Sequence, residues 1–183
     1  AITGSGLKIM TGEHLVRVKK IDTYIYISPE KWDKSKFNDA DHQLINAYGN
    51  KNFKKVKQML ENHKKLNLCP EAMMLLGIHA ISQNDTDTLQ ILSENIGLLN
   101  LKEKTSEDTL LHYAGHMGAN EKVFERLSQA GINFGVLNKM GLTVLHCAVL
   151  KNHVARSIYL AQNYSGLLSM QSKSFKVASF KKP

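Results

Sequence analysis

Two stretches of this chain are near-copies of one another at a fixed interval. Residues 141–148 read Gly-Leu-Thr-Val-Leu-His-Cys-Ala, and residues 108–114 read Asp-Thr-Leu-Leu-His-Tyr-Ala. Thr109 and Thr143, Leu111 and Leu145, His112 and His146, and Ala114 and Ala148 each stand 34 apart. One more step back from Ala114 reaches Ala80, and Ala47 lies 33 residues before that. A period of this size marks a repeat architecture, in which a helical pair too small to bury its own apolar face stacks on its neighbours. Few constraints on a fold are stronger, because every unit must then present the same faces in the same order.

Reading outward from that register gives about four helix-turn-helix units, at residues 39–68, 69–100, 101–134 and 135–165. In the first, Asp39 or Asp41 is expected to cap a helix carrying Leu44, Ile45 and Ala47. A second helix then places Phe53, Val56, Met59 and Leu60 at helical spacing. The second unit begins near Glu71, has Met74, Leu75, Ile78 and Ala80 on its buried side, and caps its outer helix with Asp85 or Thr86. The third closes through Ala130 and Gly131, and the fourth starts its outer helix near Asn152 or His153. Small residues at 80, 114 and 148 suit close helix approach, and Thr109 and Thr143 suit N-caps.

Residues 1–38 read differently. The β-branched and aromatic runs at 15–19 and 23–28 flank Lys20-Ile21-Asp22 and predict a β-hairpin extension. Ser28-Pro29-Glu30 predicts a short helical turn that carries Trp32 inward. Residues 166–183 form a basic, serine-rich tail, in which Leu167 and Leu168 are expected to cover the last unit. The chain starts without an initiator Met or a charged-then-apolar leader, and it reads as a fragment of a longer protein or a processed form.

Charge is concentrated at the ends. Of the formal +8, residues 1–65 carry +6, residues 66–165 carry −2 and residues 166–183 carry +4. Basic ends suit an acidic protein, a nucleic acid or a membrane surface, while a solvated lysine-rich surface is the plainer reading. The lysines at 51, 54, 55, 57, 64 and 65 are interleaved with Asn, Gln and core apolars rather than aromatics, which argues against a nucleic-acid site. No run of 18 or more apolar residues indicates a membrane span. Two cysteines, Cys69 and Cys147, make no disulfide framework, so a reducing, cytoplasmic compartment is expected.

The Thr-x-Leu-His-x-Ala pattern at 109–114 and 143–148 resembles the signature that opens each unit of ankyrin-repeat proteins, with Ala130-Gly131-Ile132-Asn133 similar to the family's turn into the next unit. The resemblance spans residues 41–165 and is weakest in the second unit, where Leu75 and Ile78 stand at the threonine and histidine positions. It implies a mainly α fold, an ankyrin-repeat solenoid with an N-terminal β-hairpin extension. It also implies that His112 and His146 hydrogen-bond backbone between units, a structural role shared by the motif residues Thr109, Leu111, Ala114, Thr143, Leu145 and Ala148. The Lys/Asn-rich composition and degenerate units are also similar to ankyrin proteins that intracellular bacteria direct at host cells, which would place the chain in the host cytosol.

Catalytic chemistry finds little support. His112 and His116 have an i, i+4 spacing that can chelate zinc, but the adjoining Glu of a zinc protease and a third ligand are missing. His146 beside Cys147 lacks an orienting group, and sequence neighbours on a helix point apart. No catalytic, cofactor or metal residue is assigned, and the chain is read as no enzyme.

What the resemblance implies instead is a protein-interaction module, expected to be a monomer. Positions after the motif histidines face the concave side, giving one row of His79, Tyr113 and Cys147, a second of Ser82, His116 and Leu150, and a third of Gln83, Met117 and Lys151. The turns at 102–107 and 138–140 extend that surface. The expected partner-binding residues are His79, Tyr113, His116, Met117, Met140, Cys147, Leu150 and Lys151. The partner is another protein, with contact between the basic tail and a membrane as a minor alternative. A different class of reading makes the chain the substrate-recruiting, non-catalytic part of a larger enzyme.

Overall fold

Short apolar runs, most of them opened by an Asn, Asp or Thr cap, divide this chain into short helices. The structure is a computed structural model. It describes residues 26–97 and 101–170 in full and, for the segments at 2–3, 6–11, 14–19 and 177–181, the backbone. Eight α-helices lie among the described residues: α1 (Asp39–Gly49), α2 (Phe53–Glu61), α3 (Pro70–Ser82), α4 (Thr86–Asn95), α5 (Leu110–Met117), α6 (Glu121–Gln129), α7 (Val144–Leu150) and α8 (Val154–Asn163). The fold is mainly α. Each odd-numbered helix packs on the even-numbered helix that follows it. The odd helices also touch in a row, α1 on α3 on α5 on α7, and α2, α4 and α6 form a second row.

The four pairs share one turn. Lys51, Asn84, Gly118 and Asn152 all adopt the left-handed conformation, with φ of 59°, 57°, 60° and 61°. The N–H of the following residue donates to the carbonyl of Ala47, Ala80, Ala114 and Ala148, at 2.8, 2.8, 3.0 and 2.9 Å. Three of the next helices are then capped by a side chain, from Asn52, Asp85 and Asn120. Asn and Gly tolerate positive φ best, which is why they hold three of the four positions. The alanines therefore mark the residue that receives the turn.

Glycine stands at two places where odd helices approach closely. A Cβ on Gly115 would stand 2.7 Å from the carbonyl oxygen of Val144, and one on Gly77 would stand 2.7 Å from Leu110. The core is one continuous apolar cluster from Leu44 to Leu167. Leu167 lies on a 3₁₀ turn, Ser165–Ser169, directly after α8, so the expected covering of the last pair by this leucine is met.

One helix start differs from expectation. Neither Asp39 nor Asp41 caps α1; Asn38 does, and Asp41 at the third helical position completes a capping box with it. The Asp41 carboxylate is then used twice, since its Oδ1 accepts the N–H of Cys69 at 2.9 Å. In the second pair, α3 starts at Pro70, within one residue of the expected start near Glu71, because Pro70 is preorganised for a first turn and Ala, Met and Leu continue it. Its cap is the weak acceptor Cys69 Sγ, 3.4 Å from the N–H of Ala72.

Short strands β1 (Ile2–Thr3), β2 (Gly6–Thr11), β3 (His14–Lys19) and β4 (Val177–Lys181) pair antiparallel in that order. Residues 20–25, the turn and most of the second strand of the expected hairpin, lie outside the described residues. Residues 26–28 are assigned to no helix or strand, and a 3₁₀ turn, Pro29–Lys31, follows as expected from Ser28-Pro29.

Candidate interaction surface

The duplicated motif builds the frame of the site. Thr109 caps α5 and Thr143 caps α7, each hydroxyl accepting the N–H of the histidine three residues on. The histidine replies: His112 Nδ1 accepts the N–H of Thr109 at 3.1 Å, and His146 Nδ1 accepts that of Thr143 at 2.9 Å. An Nδ1 used as acceptor leaves the proton on Nε2. In His112 that proton goes to the carbonyl of Leu142, 2.8 Å away in the next unit. Burial holds both rings below the usual histidine range, at about 4, so both are neutral at pH 7. Thr109, Leu111, His112, Ala114, Thr143, Leu145, His146 and Ala148 are all fully buried.

A second polar knot lies beside it. Asp108 is fully buried, meets His116 Nε2 at 3.0 Å and accepts from Asn138 Nδ2 at 2.8 Å. Burial pushes the Asp108 carboxyl up to about 6, against the pull of the Asn138 and Ser106 hydrogen bonds. Burial likewise pushes His116 down to about 3, aided by nearby Lys151 and His153. The same knot ties the two long turns together. Asn138 Oδ1 accepts from Met140 and Leu142, Lys139 N–H donates to Ser106 O, and both Glu103 oxygens are held by the N–H of Thr105.

The expected partner-binding residues do not share one fate. His79 and Lys151 are exposed, and Met117, Met140 and Leu150 are half-buried. Tyr113, His116 and Cys147 are buried, which corrects the expectation that they form part of an open concave row. Part of the reason is the chain itself, because residues 26–32 cross the face of α5. The Tyr113 hydroxyl donates to the carbonyl of Ile27 at 2.7 Å, and Trp32 meets the Tyr113 ring edge-on at 5.9 Å. Tyr26 lies 4.5 Å from the His116 ring, with Lys151 Nζ 4.2 Å above its own ring. Cys147 is enclosed where α5 meets α7, close to Gly115.

These positions decide the chemistry. Burial pushes the Cys147 thiol well up, and Cys69 up to about 11, the opposite of what a nucleophilic cysteine requires. His112 and His116 direct Nε2 to different partners, Leu142 O and Asp108, so they do not converge on a common point.

Two open hollows flank the covered face. One, about 540 Å3, is lined by Tyr48, Phe53, His79 and Asp85 between the first two helical pairs. The other, about 250 Å3, lies between residues 27–37 and the turns that precede α3 and α5, with Trp32, Phe37 and Met74 in its wall. Sequence reasoning missed Tyr26, Asp108 and Asn138. Asp41 was readable, since Asn-x-x-Asp ahead of an apolar run is a capping-box pattern. Asp108 and Asn138 are 30 residues apart and meet only in the folded chain.

Among the described residues, no helix is long and apolar enough to cross a membrane. No family model matches the chain, and no curated protein matches it.

Proposed function

We propose that this chain is an ankyrin-type repeat module that binds another protein through the inner-helix face and the turns beside it. The four equivalent turns at Lys51, Asn84, Gly118 and Asn152, together with the paired Thr–His capping boxes, support the repeat part of this reading. The observation that carries the binding part is residues 26–32, which lie across α5 and are held there by the Tyr113 hydroxyl donating to the carbonyl of Ile27 and by three aromatic contacts. A face that accommodates a peptide of its own chain has the shape and chemistry to accommodate another. The part of it left open is His79, Met117, Met140, Leu150 and Lys151. The apolar members of that set are anchors of the kind that dominate protein interfaces.

The test is affinity for a protein captured from a cytosolic lysate, compared between the native chain and the Met117→Ser/Leu150→Ser double variant. At least tenfold weaker binding with an unchanged unfolding midpoint is expected. Unchanged affinity would move the interface off the inner face.

A further inference from the structure

Residues 26–32 hold their place on α5 through contacts that a segment of another protein can reproduce. The Tyr26 ring lies 4.5 Å from the His116 ring and 5.9 Å from that of Tyr113, tilted to both. Lys151 Nζ stands over the same ring, 4.2 Å from its centre. Three side chains of the repeats thus form a notch that one aromatic residue occupies. The next residue contributes its backbone, since the carbonyl of Ile27 accepts from the Tyr113 hydroxyl at 2.7 Å. Other hydrogen bonds of the segment turn back on itself. The N–H groups of Lys31 and Trp32 donate to the carbonyls of Ser28 and Pro29, and the Trp32 indole N–H donates to that of Ile27. Neither ion pair among the described residues involves residues 26–32.

We propose that Tyr26 and Ile27 are an intramolecular placeholder for the partner: a segment of the partner enters with an aromatic side chain in the notch of Tyr113, His116 and Lys151 and sets its next backbone carbonyl on the Tyr113 hydroxyl. The assignment rests on the interaction-module reading and names the partner's chemistry. The notch continues into the open part of the inner face, because half-buried Met117 follows His116 and half-buried Leu150 precedes Lys151. Lys151 selects an aromatic occupant, since a cation is drawn to the face of a ring and finds no such partner in an aliphatic side chain. A carboxylate is disfavoured in the same place. Burial first, then Glu30 and Asp108, hold the Tyr26 hydroxyl above its usual range, and burial and Asp108 act equally on any other occupant. Being part of the same chain, the placeholder competes at a high effective concentration, so the native protein binds such segments more weakly than the bare notch does.

The experiment uses the capped hexapeptide of residues 26–31, Tyr-Ile-Ser-Pro-Glu-Lys, with a fluorophore on its lysine, and follows its anisotropy as the full chain is added. The Tyr26→Ala chain should bind it at least tenfold more tightly than the native chain. Phe for the peptide's tyrosine should leave the affinity within about twofold, Leu there should weaken it at least threefold, and Glu at least tenfold. Lys151→Met, made in the Tyr26→Ala chain, should weaken binding about threefold, the size of an exposed cation–π contact. Saturating peptide should also raise hydrogen exchange at residues 26–28 of the native chain, a readout that depends on no variant folding. Equal affinity of the native and Tyr26→Ala chains at an unchanged unfolding midpoint, equal binding of the Leu peptide, or unchanged exchange at residues 26–28 overturns the proposal. A native dimer that the peptide dissociates assigns the notch to a second copy and overturns it as well. If the peptide fails while Met117→Ser/Leu150→Ser still weakens partner binding at least tenfold, the placeholder falls and the module reading stands.

Discussion

His112 Nε2 and the carbonyl oxygen of Leu142 meet at 2.8 Å across the boundary between two helical pairs. The bond needs a neutral ring with its proton on Nε2, and the capping box secures that tautomer by using Nδ1 as an acceptor from Thr109. Asp41 does comparable work at the other end of the chain. Its Oδ2 closes the box on Asn38, while Oδ1 reaches the N–H of Cys69 at the start of the next pair. Two chemically unlike residues at the third helical position thus stitch one pair to the next.

Removing either stitch leaves a buried backbone group without its partner. His112→Ala and Asp41→Ala should each lower stability by about 1 to 3 kcal/mol, read as a fall in the urea midpoint at constant slope. An unchanged midpoint in both variants would show that the units are not coupled through these bonds.

Acid should unfold this protein earlier than its carboxylates alone would. His112, His116 and His146 are buried with pKa values lowered to about 4, 3 and 4. A lowered folded-state value means that the unfolded chain takes up protons first, so this stability is present above pH 6.5 and is lost as pH falls toward 4. Linkage gives a loss of about 2 kcal/mol per histidine by pH 5. Asp108 acts in the opposite sense. Its raised value of about 6 means that the folded chain protonates first, which offsets about 1 kcal/mol of the loss between pH 7 and 5. Urea titrations at pH 7 and 5 check the balance, and equal midpoints at the two pH values would contradict it.

Glycine substitutions should separate by what the added methyl meets. At Gly115 it meets the backbone oxygen of Val144, which cannot swing away, so Gly115→Ala should cost about 1 to 3 kcal/mol. Gly49 ends α1 with nothing within 4 Å of the new Cβ. Gly49→Ala should therefore be neutral or raise stability by up to about 1 kcal/mol. Thermal midpoints of the two variants decide.

The segment over α5 should be separable from the fold beneath it. Tyr113→Phe keeps the ring but removes the hydroxyl that holds Ile27 O. It should raise hydrogen exchange in residues 26–32 and shift Trp32 emission to the red, while costing about 1 kcal/mol of global stability. Unchanged exchange in this segment would show that the aromatic contacts alone retain it.

How much of this was legible depended on distance along the chain. The 34-residue interval from Thr109 to Thr143, the capping role of both threonines, the inward turn of Trp32 and the burial of Leu167 follow from local pattern. They are choices that a helix start or an apolar face makes within a few residues, and the sequence alone determined them. The start of α3 next to Glu71 follows in the same way, with Pro70 at its first position. Tertiary structure decided which inner-face residues stay open. Tyr113 and His116 are in register with His79 and Leu150, yet they are covered, because residues 26–32 fold back from more than 80 positions away to lie over them. Asp108 likewise became a buried junction only when Asn138 arrived from the following unit. Periodicity specifies what each helix presents to its neighbours in the stack. It carries no information about a segment outside the period, and burial and hydrogen bonding between distant residues exist only once the chain has closed on itself.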